Sequence, residues 1–189
     1  MLNHKRRSFL TTSGTATLSA AAFGLIAGVP SRSFAMGSTM ARDVDILNVA
    51  LGLEHEAINA YQLGAQSGLL QKPVLDAAVL FQSHHKGHRD ALIATIEKLG
   101  GRPVAEKPMA EYARALNAAA IKSQEDILNL AARLELGATN AYLGVIPAFK
   151  APALAQVAAR LAADEVMHWT ILNNALGRPL PAGGMPFGA

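Results

Sequence analysis

The sequence predicts an all-α fold, a four-helix bundle with a long crossover between its second and third helices, and three observations carry that prediction. Apolar residues recur at helical spacing through four long stretches, and no run alternates convincingly at period two. The stretch Leu53–Tyr61, LEHEAINAY, returns at Leu134–Tyr142 as LELGATNAY, with Leu, Glu, Ala, Asn, Ala and Tyr at matching offsets. Two of the stretches close on the same signal, Gly101-Arg102-Pro103 and Gly177-Arg178-Pro179. The chain therefore reads as two pseudo-repeated helix pairs.

In the first helix Asp43 and Asp45 suit the opening turn, where negative charge complements the amide dipole, with residues 36–42 as a flexible lead-in. Its inner face reads Leu47, Ala50, Leu51, Glu54, Ala57, Ile58, Tyr61 and Ala65. Ser67, Gly68 and Pro73 break the pattern. A second helix follows from about Val74 to Leu99, turning Ala78, Phe81, His85, His88, Leu92, Ile96 and Leu99 inward; so short a gap makes the two antiparallel neighbours. The crossover from Gly100 to Ser123 carries an Ala-rich piece. Ser123 and Asp126 resemble a capping box that starts a third helix running to near Pro147, although one unbroken helix from Ala110 is an alternative. The third helix faces inward with Leu128, Ala131, Glu135, Ala138, Tyr142 and Val145, and a fourth, from about Pro152 to Leu176, with Ala158, Leu161, Glu165, His168, Trp169 and Leu172.

Residues 1–35 read as an export signal. A KRRSFL run at Lys5–Leu10 precedes a mildly apolar stretch from Thr15 to Val29 and a small-x-small site at Ser33-Phe34-Ala35, and the paired arginines resemble the twin-arginine (Tat) type. An anchor is disfavoured, because about 15 apolar residues fall short of the roughly 20 that span a bilayer. The expected organisation is a signal over 1–35, the bundle over 36–180 and an irregular tail over 181–189, with periplasmic or secreted localisation after passage through the Tat translocase and no membrane association once the signal is cleaved. Loss of Lys5, Arg6, Arg7 and Arg32 leaves 13 of the 17 basic side chains against 14 acidic ones, so the alkaline balance is no argument for nucleic-acid binding. The chain has no cysteine, which excludes disulfides, thiolate metal sites and cysteine nucleophiles.

Each helix places a metal-capable side chain near the middle of its inner face: Glu54, then His85 and His88, then Glu135, then Glu165 and His168. A lone buried carboxylate is costly unless a partner neutralises it. On these residues the chain resembles the ferritin-like superfamily, and more narrowly its exported, Tat-signal members, over essentially all of residues 43–178. That resemblance implies a Glu from each of two helices and Glu-x-x-His from each of the others around two metal ions. Glu165-Val166-Met167-His168 fits the motif, and Glu54 and Glu135 fit the single-Glu positions. The spacings agree, since Glu54 precedes His88 by 34 residues and Glu135 precedes His168 by 33.

One position departs from the pattern. His85 stands where a Glu is expected, and the resemblance implies that this Glu bridges the two metals. A neutral imidazole does not bridge two cations as a carboxylate does, so one ion held by mixed His and Glu ligands stands beside the dinuclear reading. A shifted register would use Gln82 and His85, and His84 is within reach of the same face. Tyr61 and Tyr142, one heptad beyond the carboxylates, read as core residues bonding a carboxylate rather than as redox radicals. His55 and Glu56 read as surface groups, Trp169 and Phe81 as core.

The resemblance implies an exported metal-binding protein, with iron or manganese, or alternatively zinc or copper, as one or two ions. The expected chemistry is oxidation of ferrous iron or handling of peroxide or oxygen, which would make it an oxidoreductase with a place in oxidative-stress defence. The alternative is a non-catalytic bundle with a metal-free polar core and a stress-associated or interaction role; a storage cage is a weaker third reading. Whether the chain is an enzyme and whether it forms a homo-oligomer are left open by the residues.

Overall fold

The computed structural model describes residues 39–188, so the segment read as a Tat-type signal lies outside the described residues. The fold is all-helical among those residues: α1 (Thr39–Gln66), α2 (Lys72–Lys98), α3 (Met109–Ala115), α4 (Gln124–Val145) and α5 (Pro152–Ala175), with 3-10 turns at Ala118–Ala120 and Ile146–Ala148. α1 packs along α2 and α4 along α5. The two hairpins then meet, closely between α1 and α4 and least between α2 and α5. No helix among the described residues is long and apolar enough to cross a membrane.

The pseudo-repeat is visible in how α2 and α5 end. Gly100 (φ 77°) and Gly177 (φ 69°) take the left-handed conformation. The next residue's amide then turns back into the helix, Gly101 N–H onto the Ile96 carbonyl and Arg178 N–H onto the Asn173 carbonyl, each at 2.9 Å.

The crossover is divided, not one unbroken helix. Asn117 at φ 51° stops the chain after α3, and Ser123 restarts it by accepting the Asp126 N–H at 3.1 Å. Asp126 reaches back to the Lys122 N–H at 2.9 Å, one residue earlier than in the usual capping box.

Two expectations need correction. Residues 39–42 are helical, not a lead-in: no glycine or proline interrupts them, and Asp43 is buried, accepting the Lys150 N–H at 3.3 Å. His55 and Glu56 are buried too, because the crossover folds back over the outer side of α1. Asn48 donates to the Arg102 carbonyl and accepts the Val104 N–H, His55 Nε2 lies 3.2 Å from the Val104 carbonyl, and Asn59 donates to Glu106. A small apolar cluster of Tyr112, Leu116 and Leu130 completes this cover.

The core is two apolar plugs. Leu47, Leu51, Leu92, Ile96, Leu154 and Leu161 pack towards one end, and Tyr61, Phe81, Leu128, Ala131 and Leu172 towards the other. Between them lies a polar layer. Replacing Gly100 by Ala forces an L side chain into the left-handed region and should lower stability by about 1–2 kcal/mol, measured by urea unfolding.

Candidate metal centre

All six side chains singled out by their place on the helix faces meet in that layer, and each is at most 8% exposed: Glu54 from α1, His85 and His88 from α2, Glu135 from α4, Glu165 and His168 from α5. They form two overlapping sets, Glu54, His85, His88 and Glu165, and His85, Glu135, Glu165 and His168. In each set the potential ligand atoms lie within 4.8 Å of one another. His85 and Glu165 belong to both. Gln82, the alternative of a shifted register, stays outside and bonds the Ile58 carbonyl and Gln62.

Individual atoms define the arrangement. In the first set His88 Nδ1 lies 3.6 Å from Glu54 Oε2 and 3.3 Å from Glu165 Oε1. In the second His168 Nδ1 lies 3.5 Å from Glu135 Oε2 and 3.3 Å from Glu165 Oε2. His88 Nδ1, Glu135 Oε2, His168 Nδ1 and both Glu165 oxygens have no hydrogen-bond partner, although buried polar atoms are nearly always satisfied. Buried ligand atoms that converge in this way without a hydrogen-bond partner are atoms that a cation could satisfy, in exchange for any protons they carry.

The remaining carboxylate oxygens of Glu54 and Glu135 and the remaining ring nitrogens of His88 and His168 are held. Tyr61 donates to Glu135 Oε1 and Tyr142 to Glu54 Oε1, so each hairpin's tyrosine bonds the other hairpin's carboxylate. His88 Nε2 lies 3.2 Å from Asp164 Oδ2, and His168 Nε2 lies 2.9 Å from His84 Nδ1. A ligating histidine characteristically fixes its ring by giving its other N–H to such a partner. Phe81 stacks on His168 with ring centroids 4.2 Å apart. Spacing places His84 within reach of this face and gives no role to Asp164; the one available signal is that each abuts one of the six positions, at the seam between α2 and α5. Trp169 is half-buried, with Phe187 of the tail set edge-on to it. A largely apolar cavity of about 230 Å³ lies beyond Tyr61 and touches none of the six.

Electrostatics follow from burial and crowding. Burial alone would raise Glu54, but His85 and His88 hold it down to about 2. Glu135 is likewise held low against burial by His168 and His85. Glu165 goes the other way, raised to about 7 by burial, with Glu135 adding to the rise. Burial would lower His88, yet Glu165 and Glu54 lift it to about 10, and His85 is lifted strongly by Glu135 and Glu54. His84 is lowered by burial and by His168, which favours the neutral ring that accepts a hydrogen bond.

The sequence model of the ferritin-like domain family matches residues 42–178. The crystal structure of a conserved hypothetical protein from Mycobacterium tuberculosis is similar at a TM-score of 0.62 and 23% identity, over 79% of this chain and 100% of that one. That likeness speaks for the fold alone. No curated protein matches the chain.

Two predictions follow from the geometry and the charges. Tyr142→Phe leaves a buried Glu54 oxygen without its donor and should cost about 1–3 kcal/mol, read by chemical denaturation. In the metal-free protein the folded state holds extra protons on Glu165 between pH 4.5 and about 7 and on His88 between 6.5 and about 10. Those contributions are present below the lower value of each pair and are lost through the upper one, so the melting temperature should fall as pH rises from about 4.5 towards 10. Below pH 4.5 it should fall again, as Glu54 is protonated towards 2. A melting temperature that climbs steadily from pH 5 to 9 would contradict this assignment.

Proposed function

The chain belongs to the ferritin-like domain family, and on that premise we propose that it is a redox metalloprotein whose ions are held by Glu54, His85, His88, Glu135, Glu165 and His168. The observation that carries this reading is the convergence of five buried ligand atoms from α2, α4 and α5 that lack a hydrogen-bond partner. A donor set of three carboxylates and three imidazoles suits iron, and also zinc or copper; manganese fits less well than in an all-carboxylate site. When bound, a redox-active ion of this class supplies electron exchange with dioxygen or peroxide, and the proposed reaction is oxidation of ferrous iron or consumption of peroxide.

The chain's own groups then have definite tasks. Tyr61 and Tyr142 each hold one oxygen, of Glu135 and of Glu54, and so fix both carboxylates; the held Glu135 oxygen also faces His85 Nε2. Asp164 and His84 orient His88 and His168 from outside. The α2–α5 seam is the proposed approach: the side chain of Asp164 is half-exposed there, beside that of His88, so a carboxylate would stand where cations enter. The apolar plugs above and below keep the layer dry. Because protons occupy the histidines in the absence of metal, binding exchanges protons for cations and should weaken as pH falls.

Export through the Tat route rests on the leader's sequence and forms part of the same proposal: folding before export lets the cytoplasm choose the metal. The test is elemental analysis by plasma mass spectrometry of protein purified without chelators or a His-tag, beside a Glu54→Ala/Glu165→Ala double variant. About two equivalents of iron or manganese, lost in the variant, support the redox centre; about one of zinc or copper points to a mononuclear site. No metal and no uptake on reconstitution, with Glu165→Gln shifting stability by less than about 1 kcal/mol, would leave a non-catalytic bundle with a stress-associated or interaction role.

A further inference from the structure

His85 is placed unlike the other two histidines of the centre. His88 and His168 each turn one nitrogen to the centre and the other to an outer partner, Asp164 or His84. Both His85 nitrogens instead hydrogen-bond carboxylates of the centre. Its Nδ1 lies 2.8 Å from Glu54 Oε2, on the side of the first set, and its Nε2 lies 3.3 Å from Glu135 Oε1, the oxygen that also accepts the Tyr61 hydroxyl, on the side of the second. The ring is 1% exposed and is held by Tyr61, stacked at a centroid distance of 5.5 Å, and by His88, edge-on at 5.6 Å. Glu165 is the other side chain shared by both sets, and it too divides its atoms, Oε1 to His88 and Oε2 to His168. Glu165 and His85 thus link the same two half-sites.

We propose that His85 bridges two metal ions through its ring, with Nδ1 bound to the ion of the Glu54–His88 side and Nε2 to the ion of the Glu135–His168 side. The inference rests on the metal-binding reading above and adds to it the ligand that joins the two ions. Each nitrogen gives one lone pair to one ion, and no N–H remains. The proton or protons on the ring pass to solvent as the ions bind, no electron is transferred, and the bound ring is an imidazolate.

Copper(II) is the probe, because two such ions joined through one imidazolate couple their unpaired spins and lose paramagnetic resonance intensity. The protein is stripped of metal, titrated with copper(II) sulfate and measured by mass spectrometry and electron paramagnetic resonance. Expected is uptake of two coppers per chain, with integrated spin well below two per chain. His85→Gln, whose amide cannot join the two ions in this way, should either lose the second copper or keep both at full spin intensity. His85→Glu, which restores a carboxylate at that position, checks that a changed residue 85 still permits folding and two-ion binding, with circular dichroism as the folding control. Two coppers at full intensity in the unaltered protein, or coupling that survives in His85→Gln, would overturn the bridge while leaving metal binding intact. One copper per chain would also overturn it and favour a mononuclear centre. No copper bound, with none of iron, zinc or manganese bound either, would overturn the metal-binding reading itself.

Discussion

The structure is organised around one costly arrangement, three carboxylates and three imidazoles buried at a single level of a helical bundle. Removing an ionised group from water costs several kcal/mol unless opposite charge and hydrogen bonds replace the lost hydration. The chain meets that demand from every direction. Carboxylates face imidazoles across the centre, tyrosine hydroxyls hold two of the outer oxygens, and Asp164 and His84 hold the outer ring nitrogens. The apolar plugs on either side follow from the same requirement, since water that reached the layer would weaken each of these contacts. A small rotation of any of the four long helices would take a charge out of the layer and leave its partner exposed to the cost, so the layer fixes the helices as much as they fix the layer.

The repeat explains how so many partners came to hand. Glu54 and Tyr61 on α1 match Glu135 and Tyr142 on α4, and the pairing crosses over, each tyrosine serving the other hairpin's glutamate. The two hairpins are therefore joined through the centre as well as through apolar contact. The repeat reaches the periphery too. Asn59 on α1 donates to Glu106 of the crossover, while the matching Asn140 on α4 accepts the Gly188 N–H of the tail, at 2.9 Å. Each hairpin has an irregular segment fastened along its outer side by the same residue of the repeat. The two hairpins touch least where α2 meets α5, and there His84 and Asp164 bond the outer nitrogens of His168 and His88.

The parts of this arrangement that depend on helical period and on end signals are legible in the sequence. The four long helices, the Gly-based endings at Gly100 and Gly177, the Ser123 cap and the set of six side chains all follow from spacing, together with the rule that a buried charge needs a partner. What is illegible depends on what lies opposite. A helical face shows that His55 and Glu56 point away from Glu54, but not that the crossover returns to cover them. The same limit hid the burial of Asp43 against the chain at Lys150, and the roles of Asp164 and His84, whose value comes from the ring beside each. Spacing also places His85 in the centre without telling which nitrogen faces which carboxylate, because that depends on the ring's rotation.

That rotation decides how the departure at residue 85 should be weighed. If a histidine stands in for a bridging glutamate as a neutral ring, the centre loses one negative charge and one of its two links, and a second divalent ion has less to hold it. A ring that faces both half-sites changes both sides of that account. As imidazolate it carries one negative charge, as the glutamate would, and it offers one donor atom to each side. The carboxylate's two oxygens share one carbon, whereas the ring's two nitrogens are fixed in a rigid plane and directed away from each other, so the ring holds two ions further apart and tolerates less movement between them. The stacking of Tyr61 and the edge contact of His88 fit this, because a rigid link is useful only when its plane is held. On that proposal the substitution would set the spacing and coupling of two ions while keeping the capacity to bind both.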